Sequence, residues 1–128
     1  ELPGPRPRKA LPEKSAAMLV LLQAGDVLLE KRPPSGIWGG LWSLPECGES
    51  DDPRAAALRL GFEADVADAL PAFTHSFTHF RLFIRPWALR VRRAGAVAEP
   101  GRLWLSLDDL EGAALPTPVR RILESVRA

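Results

Sequence analysis

Cysteine is almost absent from this chain, since Cys47 is the only one among 128 residues. One thiol excludes a disulfide within the chain and cannot supply a four-cysteine zinc or iron–sulfur site. Long apolar runs are absent too. The longest, Ala16 to Leu22, has seven residues, whereas a membrane helix needs roughly 20. The proline-rich start lacks the apolar segment of a secretory signal, so we expect an intracellular, cytoplasmic protein without a membrane partner.

Charge of one sign is missing from part of the chain. The net charge is only +1, but seven acids and two arginines lie between Glu46 and Asp68. From Pro71 to Arg93 there are five arginines and no acid. Phenylalanines lie among these arginines, a pattern typical of nucleic-acid binding. A solvated strand face that carries arginines remains an equal alternative.

Carboxylates are also missing from a motif whose other residues are in place. Gly40 is followed by five residues and Glu46, then by seven residues and Arg54, and the segment ends in Gly61-Phe62. This spacing resembles a Nudix box, the Mg²⁺-binding motif of a class of phosphohydrolases. Its three acids after the arginine would fall on residues 55, 58 and 59, which are Ala, Leu and Arg here.

The loss has a direct physical consequence. Asp52-Pro53 predicts a helix start, with Asp as the N-cap and Pro at the first helical position. In a helix over 53–60, residues 55, 58 and 59 share one face. Ala55 and Leu58 offer no oxygen to Mg²⁺, and Arg59 places a positive charge near the metal position. We therefore expect no metal site and no catalytic residue; a Nudix hydrolase with atypical metal ligands is the alternative.

Apolar periodicity and turn residues predict an α+β domain, with a mixed β-sheet flanked by two to three helices. The predicted strands are 15–23, 27–32, 73–93 and 103–105, with Pro86 at an edge or a bulge. Loops are expected at 33–40 and 95–101. Besides the helix over 53–60, a capping box at Ser106 predicts a short helix and Thr117-Pro118 predicts the last one.

Three segments in order resemble the C-terminal domain of MutY-type adenine DNA glycosylases: LLEKRPPSGIWGGLWSLPE (Leu28–Glu46), HSFTHFRL (His75–Leu82) and LPTPVRRIL (Leu115–Leu123). The resemblance implies a Nudix-like fold that does not hydrolyse nucleotides. In that family the whole enzyme removes adenine mispaired with 8-oxoguanine. Its catalytic groups and its [4Fe–4S] cluster lie in an N-terminal helical domain. The resemblance also implies an interdomain connector or flexible arm at 1–14 and a lesion-recognition domain at 15–128.

A Phe-Ser-His loop lies beside the lesion in that family, and the matching residues here have Thr in place of Ser. The implied lesion-binding residues are Phe77, Thr78 and His79, with His75 and Arg81; Lys31, Arg32 and Arg85 are candidate phosphate contacts. The implied partners are duplex DNA containing 8-oxoguanine and the N-terminal catalytic domain of the same protein. We expect a monomer near the bacterial nucleoid, with no cofactor in this chain and no enzymatic activity of its own.

Other interpretations of the same residues stay open. His75 and His79 have the spacing of a helical zinc site, but the surrounding alternation is that of a strand. Phe77 can wedge beside a base or belong to the core, and for Phe80 we favour the core. Trp38 and Trp42 are expected to cover the core. A protein-interaction module, with the arm and the acidic 46–68 region as docking surfaces, is compatible with DNA binding.

Overall fold

The computed structural model describes residues 11–93 and 100–127. The described residues form nine strands, two α-helices and one 3₁₀ turn, which confirms the α+β class. The strands are β1 (Glu13–Gln23), β2 (Asp26–Lys31), β3 (Trp42–Ser43), β4 (Glu46–Cys47), β5 (Phe62–Ala64), β6 (Asp68–Ala69), β7 (Phe73–Ser76), β8 (Arg81–Arg93) and β9 (Arg102–Ser106). The helices are α1 (Pro53–Arg59) and α2 (Thr117–Arg127), and the 3₁₀ turn is Leu110–Gly112. Neither helix has the length and apolarity needed to span a membrane.

The sheet is built around a parallel pair, β1 and β8, which run in register from Glu13 opposite Arg81 to Leu22 opposite Arg90. The order is β3-β2-β1-β8-β5; β4 also pairs with β1, β9 with β2, and β6 and β7 with β8. All of these other pairings are antiparallel, so the sheet is mixed, as expected. The continuous apolar run in β1 is explained by its central position, because both of its faces are covered.

Each face of the sheet carries its own core, because successive side chains of a strand point to opposite faces. On one face, Met18 and Ile84 pack in a cluster with α2 residues Val119, Ile122 and Leu123. On the other face, Leu19 and Leu89 pack in a cluster with α1 residues Ala56 and Ala57. We call these the α2 face and the α1 face.

Helix α1 begins and ends where the sequence predicts. The Asp52 side chain accepts a hydrogen bond from the Arg54 N–H at 3.2 Å, and Pro53 takes the first turn. Gly61, with φ of +98°, follows the last turn, in the left-handed region that glycine tolerates best. The helix turns Ala56 and Ala57 to the core and leaves Ala55, Leu58 and Arg59 exposed, 55% for Leu58.

Three local predictions were wrong. The strand predicted over 73–93 is divided into β7 and β8, because residues 77–80 form the turn of a β-hairpin. Pro86 lies in the central strand β8, opposite Met18, rather than at an edge or a bulge. It is tolerated there because it faces the break between β6 and β7, where its carbonyl accepts from the Leu70 N–H at 3.0 Å and no ladder donor is needed. The predicted capping box at Ser106 does not form. The Ser106 hydroxyl accepts from the Asp108 N–H at 3.2 Å, and the 3₁₀ turn that follows has no side-chain hydrogen bond at its N-cap.

The start of the sheet falls within the segment 1–14. Strand β1 begins at Glu13, and the Pro12 carbonyl accepts a hydrogen bond from the Arg81 N–H at 2.9 Å. Residues 1–10 of the expected arm and residues 94–99, which include most of the expected loop 95–101, lie outside the described residues.

The loop between β2 and β3 places Trp38 against the core, and it closes on itself tightly. The Gly40 N–H donates to the Pro33 carbonyl at 3.0 Å, and Arg32 and Leu41 are joined by a backbone hydrogen bond of 2.8 Å. A Cβ at Gly39 would collide with the Pro34 carbonyl oxygen. This contact explains the glycine at position 39.

We expect Gly39→Ala to lower the free energy of unfolding by about 1–3 kcal/mol, the usual range for overpacking against a fixed backbone. Urea unfolding of the variant and of wild type measures the effect. Ser35→Ala, at an exposed position of the same loop, is the control and should unfold like wild type. Equal unfolding midpoints for Gly39→Ala and Ser35→Ala would contradict the steric argument.

Candidate nucleic-acid interface

The matched Phe-Thr-His segment forms the tip of a β-hairpin. Strands β7 and β8 pair with Ser76 opposite Arg81, and the Phe77 N–H donates to the Phe80 carbonyl at 2.8 Å. Thr78 and His79 lie between these residues and are exposed. The hairpin therefore presents one hydroxyl and one imidazole to solvent at its end.

An aromatic anchor lies directly beneath this tip. The Phe77 ring stacks on Phe80 with centroids 4.5 Å apart, and meets His75 edge to face at 4.8 Å. Trp38, from the β2–β3 loop, lies 5.8 Å from Phe77. These separations are those of favourable ring pairs. We name Trp38, His75, Phe77 and Phe80 the aromatic anchor; it fixes the base of the tip on the α2 face.

The anchor rings pack on the core rather than standing free. Phe77, Phe80, Trp38 and Trp42 are all partly buried against the α2-face cluster, which confirms the core role expected for Phe80 and the two tryptophans. Phe77 is held by protein rings on several sides, so the exposed reach of the hairpin comes from Thr78 and His79.

Two lysines lie over aromatic rings on this face, one over the anchor residue Phe80 and one over the neighbouring Trp42. The Lys14 Nζ lies 4.6 Å from the Phe80 centroid, and the Lys31 Nζ lies 5.8 Å from that of Trp42. Ammonium groups over ring faces are attracted by the ring quadrupole. Lys31 was among the candidate residues from the sequence. Lys14 was missed, because only the parallel register of β1 and β8 brings it to Phe80.

The remaining candidate residues lie elsewhere. Arg81 and Arg85 are exposed on β8, on the face opposite to Leu82 and Ile84, and so away from the anchor. Arg32 donates to the Glu46 carboxylate at 3.2 Å and to the Ile37 carbonyl at 3.4 Å. The structure thus gathers His75, Phe77, Thr78 and His79 at one end of the hairpin, with Arg81 and Arg85 on the opposite face of the sheet.

The former metal face of the Nudix box has different partners here. Arg59 forms an ion pair with Asp51 at 3.4 Å, and Glu46 forms one with Arg32. Within residues 11–93 and 100–127, no three His, Cys, Asp or Glu side chains are grouped to hold a metal ion. His75 and His79 accordingly have no third zinc ligand beside them in the described part of the chain.

Two ionisable groups within the box, Glu46 and Cys47, have shifted pKa values. Burial raises the pKa of Glu46 above its ordinary value; Arg32 lowers it in part, and Glu30 adds to the rise. Burial and then the charge of Asp51 raise the pKa of the Cys47 thiol. A thiol with a raised pKa is a poor nucleophile at neutral pH because the thiolate is the reactive form.

Comparison with known proteins identifies the fold family. Residues 16–125 match the NUDIX domain family. The chain belongs to this family. As a NUDIX domain it is similar to the C-terminal domain of mouse MUTYH, solved in complex with human PCNA. The TM-score is 0.70 at 26% identity, with 88% of this chain and 86% of that chain covered.

The matches also point to one branch of NUDIX proteins. The human adenine DNA glycosylase is 29% identical over 132 residues, covering 90% of this chain and 24% of that protein. This chain spans about a quarter to a third of the length of the adenine DNA glycosylases that it matches. MutT NUDIX hydrolase from Burkholderia pseudomallei shares the fold, with a TM-score of 0.66 at 22% identity over 88% of this chain and 96% of that chain.

We expect Glu46→Gln to gain stability relative to wild type as the pH rises. The pKa of Glu46 is higher in the folded state than in the unfolded chain, so ionisation of this carboxyl opposes folding. Its contribution is therefore favourable at low pH and is lost as the pH rises through the folded pKa. Urea unfolding of both proteins at pH values from about 3.5, below the ordinary glutamate pKa, to about 7 measures the difference.

Arg32→Gln serves as the matched variant for this measurement, because it removes the charge that lowers the pKa of Glu46. In the Arg32→Gln background, Glu46→Gln should therefore raise the free energy of unfolding between low and neutral pH by more than it does in the wild-type background. A relative loss of stability for Glu46→Gln between the same pH values would contradict the assignment.

Proposed function

We propose that this NUDIX domain recognises 8-oxoguanine in DNA as the non-catalytic recognition part of an adenine DNA glycosylase. The observation that carries the proposal is the exposed hydroxyl of Thr78 at a hairpin tip that the aromatic anchor fixes. The match of about 90% of the chain to human adenine DNA glycosylase supports the choice of DNA as the partner.

The chemistry of the lesion fits a hydroxyl. Guanine shows two acceptors, N7 and O6, along its major-groove edge. Oxidation makes N7 an N–H donor and adds an acceptor oxygen at C8. A hydroxyl can accept from the first and donate to the second, as few side chains can. Thr78 keeps the hydroxyl of the serine in the Phe-Ser-His loop of MutY-type glycosylases and adds a methyl group at an exposed position.

The neighbouring tip residues have supporting roles in this proposal. His79 is exposed, and we assign it a contact with a phosphate of the lesion strand, which positions a protein without reading sequence. Phe77 and His75 act through the anchor, since a recognition group works best when its supporting shell is rigid. Lys31 remains a candidate phosphate contact at the edge of the same face.

The hydrolase alternative has less support. Mg²⁺-assisted hydrolysis of a nucleotide needs several carboxylate oxygens around the metal. The exposed face of α1 offers Ala55, Leu58 and Arg59, and Glu46 is engaged by Arg32. We propose that this chain has no enzymatic activity of its own.

In this proposal, catalysis and lesion recognition belong to different domains of the whole protein. Following the resemblance to MutY-type glycosylases, we assign adenine removal and the [4Fe–4S] cluster to an N-terminal domain outside this chain. The single cysteine here could not ligate a cluster that needs four. Duplex DNA and that catalytic domain are the proposed partners of a monomeric domain that works in the cytoplasm, at the nucleoid of a bacterium.

A second candidate function is protein interaction. The related mouse MUTYH domain was solved in complex with human PCNA. Here Leu58 and Val66 are exposed by 55% and 59%, within the acidic 46–68 region. A protein contact at this region would lie away from the hairpin tip and is compatible with DNA binding.

We expect Thr78→Ala to reduce the preference for 8-oxoguanine over guanine by about 1 kcal/mol, roughly fivefold, the low end of a specific base contact. Fluorescence anisotropy with two duplexes that differ only in that base measures it. Thr74→Ala, at an exposed position on the same hairpin, is the control and should keep the preference. An equal loss of affinity for both duplexes would contradict the role of the hydroxyl.

A further inference from the structure

The hairpin has a second exposed surface, on the face opposite the aromatic anchor. Helix α1 packs on the later part of β1 and β8, where Leu19, Leu21, Leu89 and Val91 are buried. The earlier part of this face is not covered by any described helix. The surface consists of the side chains of Glu13, Ser15, Thr74, Ser76, Arg81, Phe83 and Arg85, which we call the open face.

An aromatic ring lies at the centre of the open face. Phe83 is half-buried and belongs to neither of the two core clusters. Its cross-strand neighbours are Thr74 on β7 and Ser15 on β1, and both are exposed hydroxyl residues. Among the described residues, Phe83 therefore keeps part of its ring exposed on this face, and that part can contact a flat partner.

Two arginines flank this ring along the strand. Arg81 and Arg85 lie two residues before and after Phe83, so their side chains emerge on the same face, roughly 6.6 Å away along β8 on either side. Neither forms an ion pair with a described residue, whereas Arg92 on the same strand binds Asp65 at 3.0 Å. Glu13, opposite Arg81 in the register, is the acid among the open-face residues. The net charge of the open face is therefore positive.

We propose that the open face binds single-stranded DNA, with one base stacked on Phe83 and the flanking phosphates at Arg81 and Arg85. A sheet surface with a partly exposed aromatic ring fits an unpaired base, because a base inside a duplex exposes no face for stacking. The hydroxyls of Thr74, Ser15 and Ser76 are donors for phosphate or base oxygens around the ring. This contact is independent of the lesion and of the hairpin tip.

Anisotropy of a fluorescein-labelled twelve-residue oligothymidine, titrated with the full chain at several salt concentrations, tests the proposal. We expect Phe83→Leu to weaken binding about tenfold, within the range for loss of one stacked base. Arg81→Gln and Arg85→Gln should each reduce the salt slope by about 0.7, because each removes one phosphate contact. Glu13→Gln should tighten binding because it removes the opposing charge.

Arg90→Gln is the matched control. Arg90 is also exposed on β8, but the alternation of the strand directs it to the opposite face. It should leave the affinity and the salt slope unchanged. Absence of oligothymidine binding by wild type, or equal losses for Arg85→Gln and Arg90→Gln, would overturn the proposal.

Thr78→Ala separates this inference from the proposed lesion recognition. The variant should bind oligothymidine like wild type, since the tip is not part of the open face. If lesion preference is absent while Phe83→Leu and Arg85→Gln still weaken oligothymidine binding, the open face stands and the proposed function fails. If lesion preference is present and these two variants bind oligothymidine like wild type, the proposed function stands and the open-face proposal fails.

Discussion

The parallel pairing of β1 with β8 is the constraint on which the rest of the domain depends. It buries the apolar run of β1 on both faces and divides the core into an α1 side and an α2 side. The same register carries Lys14 to Phe80, and it sets Ser15 beside Phe83. A shift of one residue would move every side chain of β1 to the wrong face. This pairing therefore brings β1 residues to both faces of the β7–β8 hairpin, Lys14 to the anchor side and Ser15 to the open face.

The NUDIX scaffold keeps its geometry here, while the described residues bring no three His, Cys, Asp or Glu side chains together as a metal site. Helix α1 retains its Asp52 cap and its packing through Ala56 and Ala57, because these stabilise the sheet whatever the exposed face carries. Of the residues that would hold a metal, Glu46 remains, and its carboxylate is paired with Arg32. The hairpin tip carries the exposed side chains of Thr78 and His79, supported from below by the aromatic anchor, and it is there that we place the proposed recognition.

Local signals made much of the fold predictable from the sequence. Asp52-Pro53 and Gly61 mark the ends of α1, and the alternation along β8 separates buried Leu82 and Ile84 from exposed Arg81 and Arg85. Contacts between distant segments were not predictable. The position of Lys14 over Phe80 and that of Trp38 beside Phe77 depend on strand register and on a loop with a positive φ at Trp38. The family resemblance named the tip residues, but only the structure shows the aromatic anchor that holds them.

The central claim is that lesion recognition lies at the hairpin tip rather than at the former metal helix. The most direct test is a titration of the ¹⁵N-labelled domain, by NMR, with two duplexes that differ only in guanine or 8-oxoguanine opposite adenine. We predict that the chemical-shift differences between the two complexes concentrate in residues 75–81. Differences centred on residues 46–59, or identical shifts with both duplexes, would contradict it.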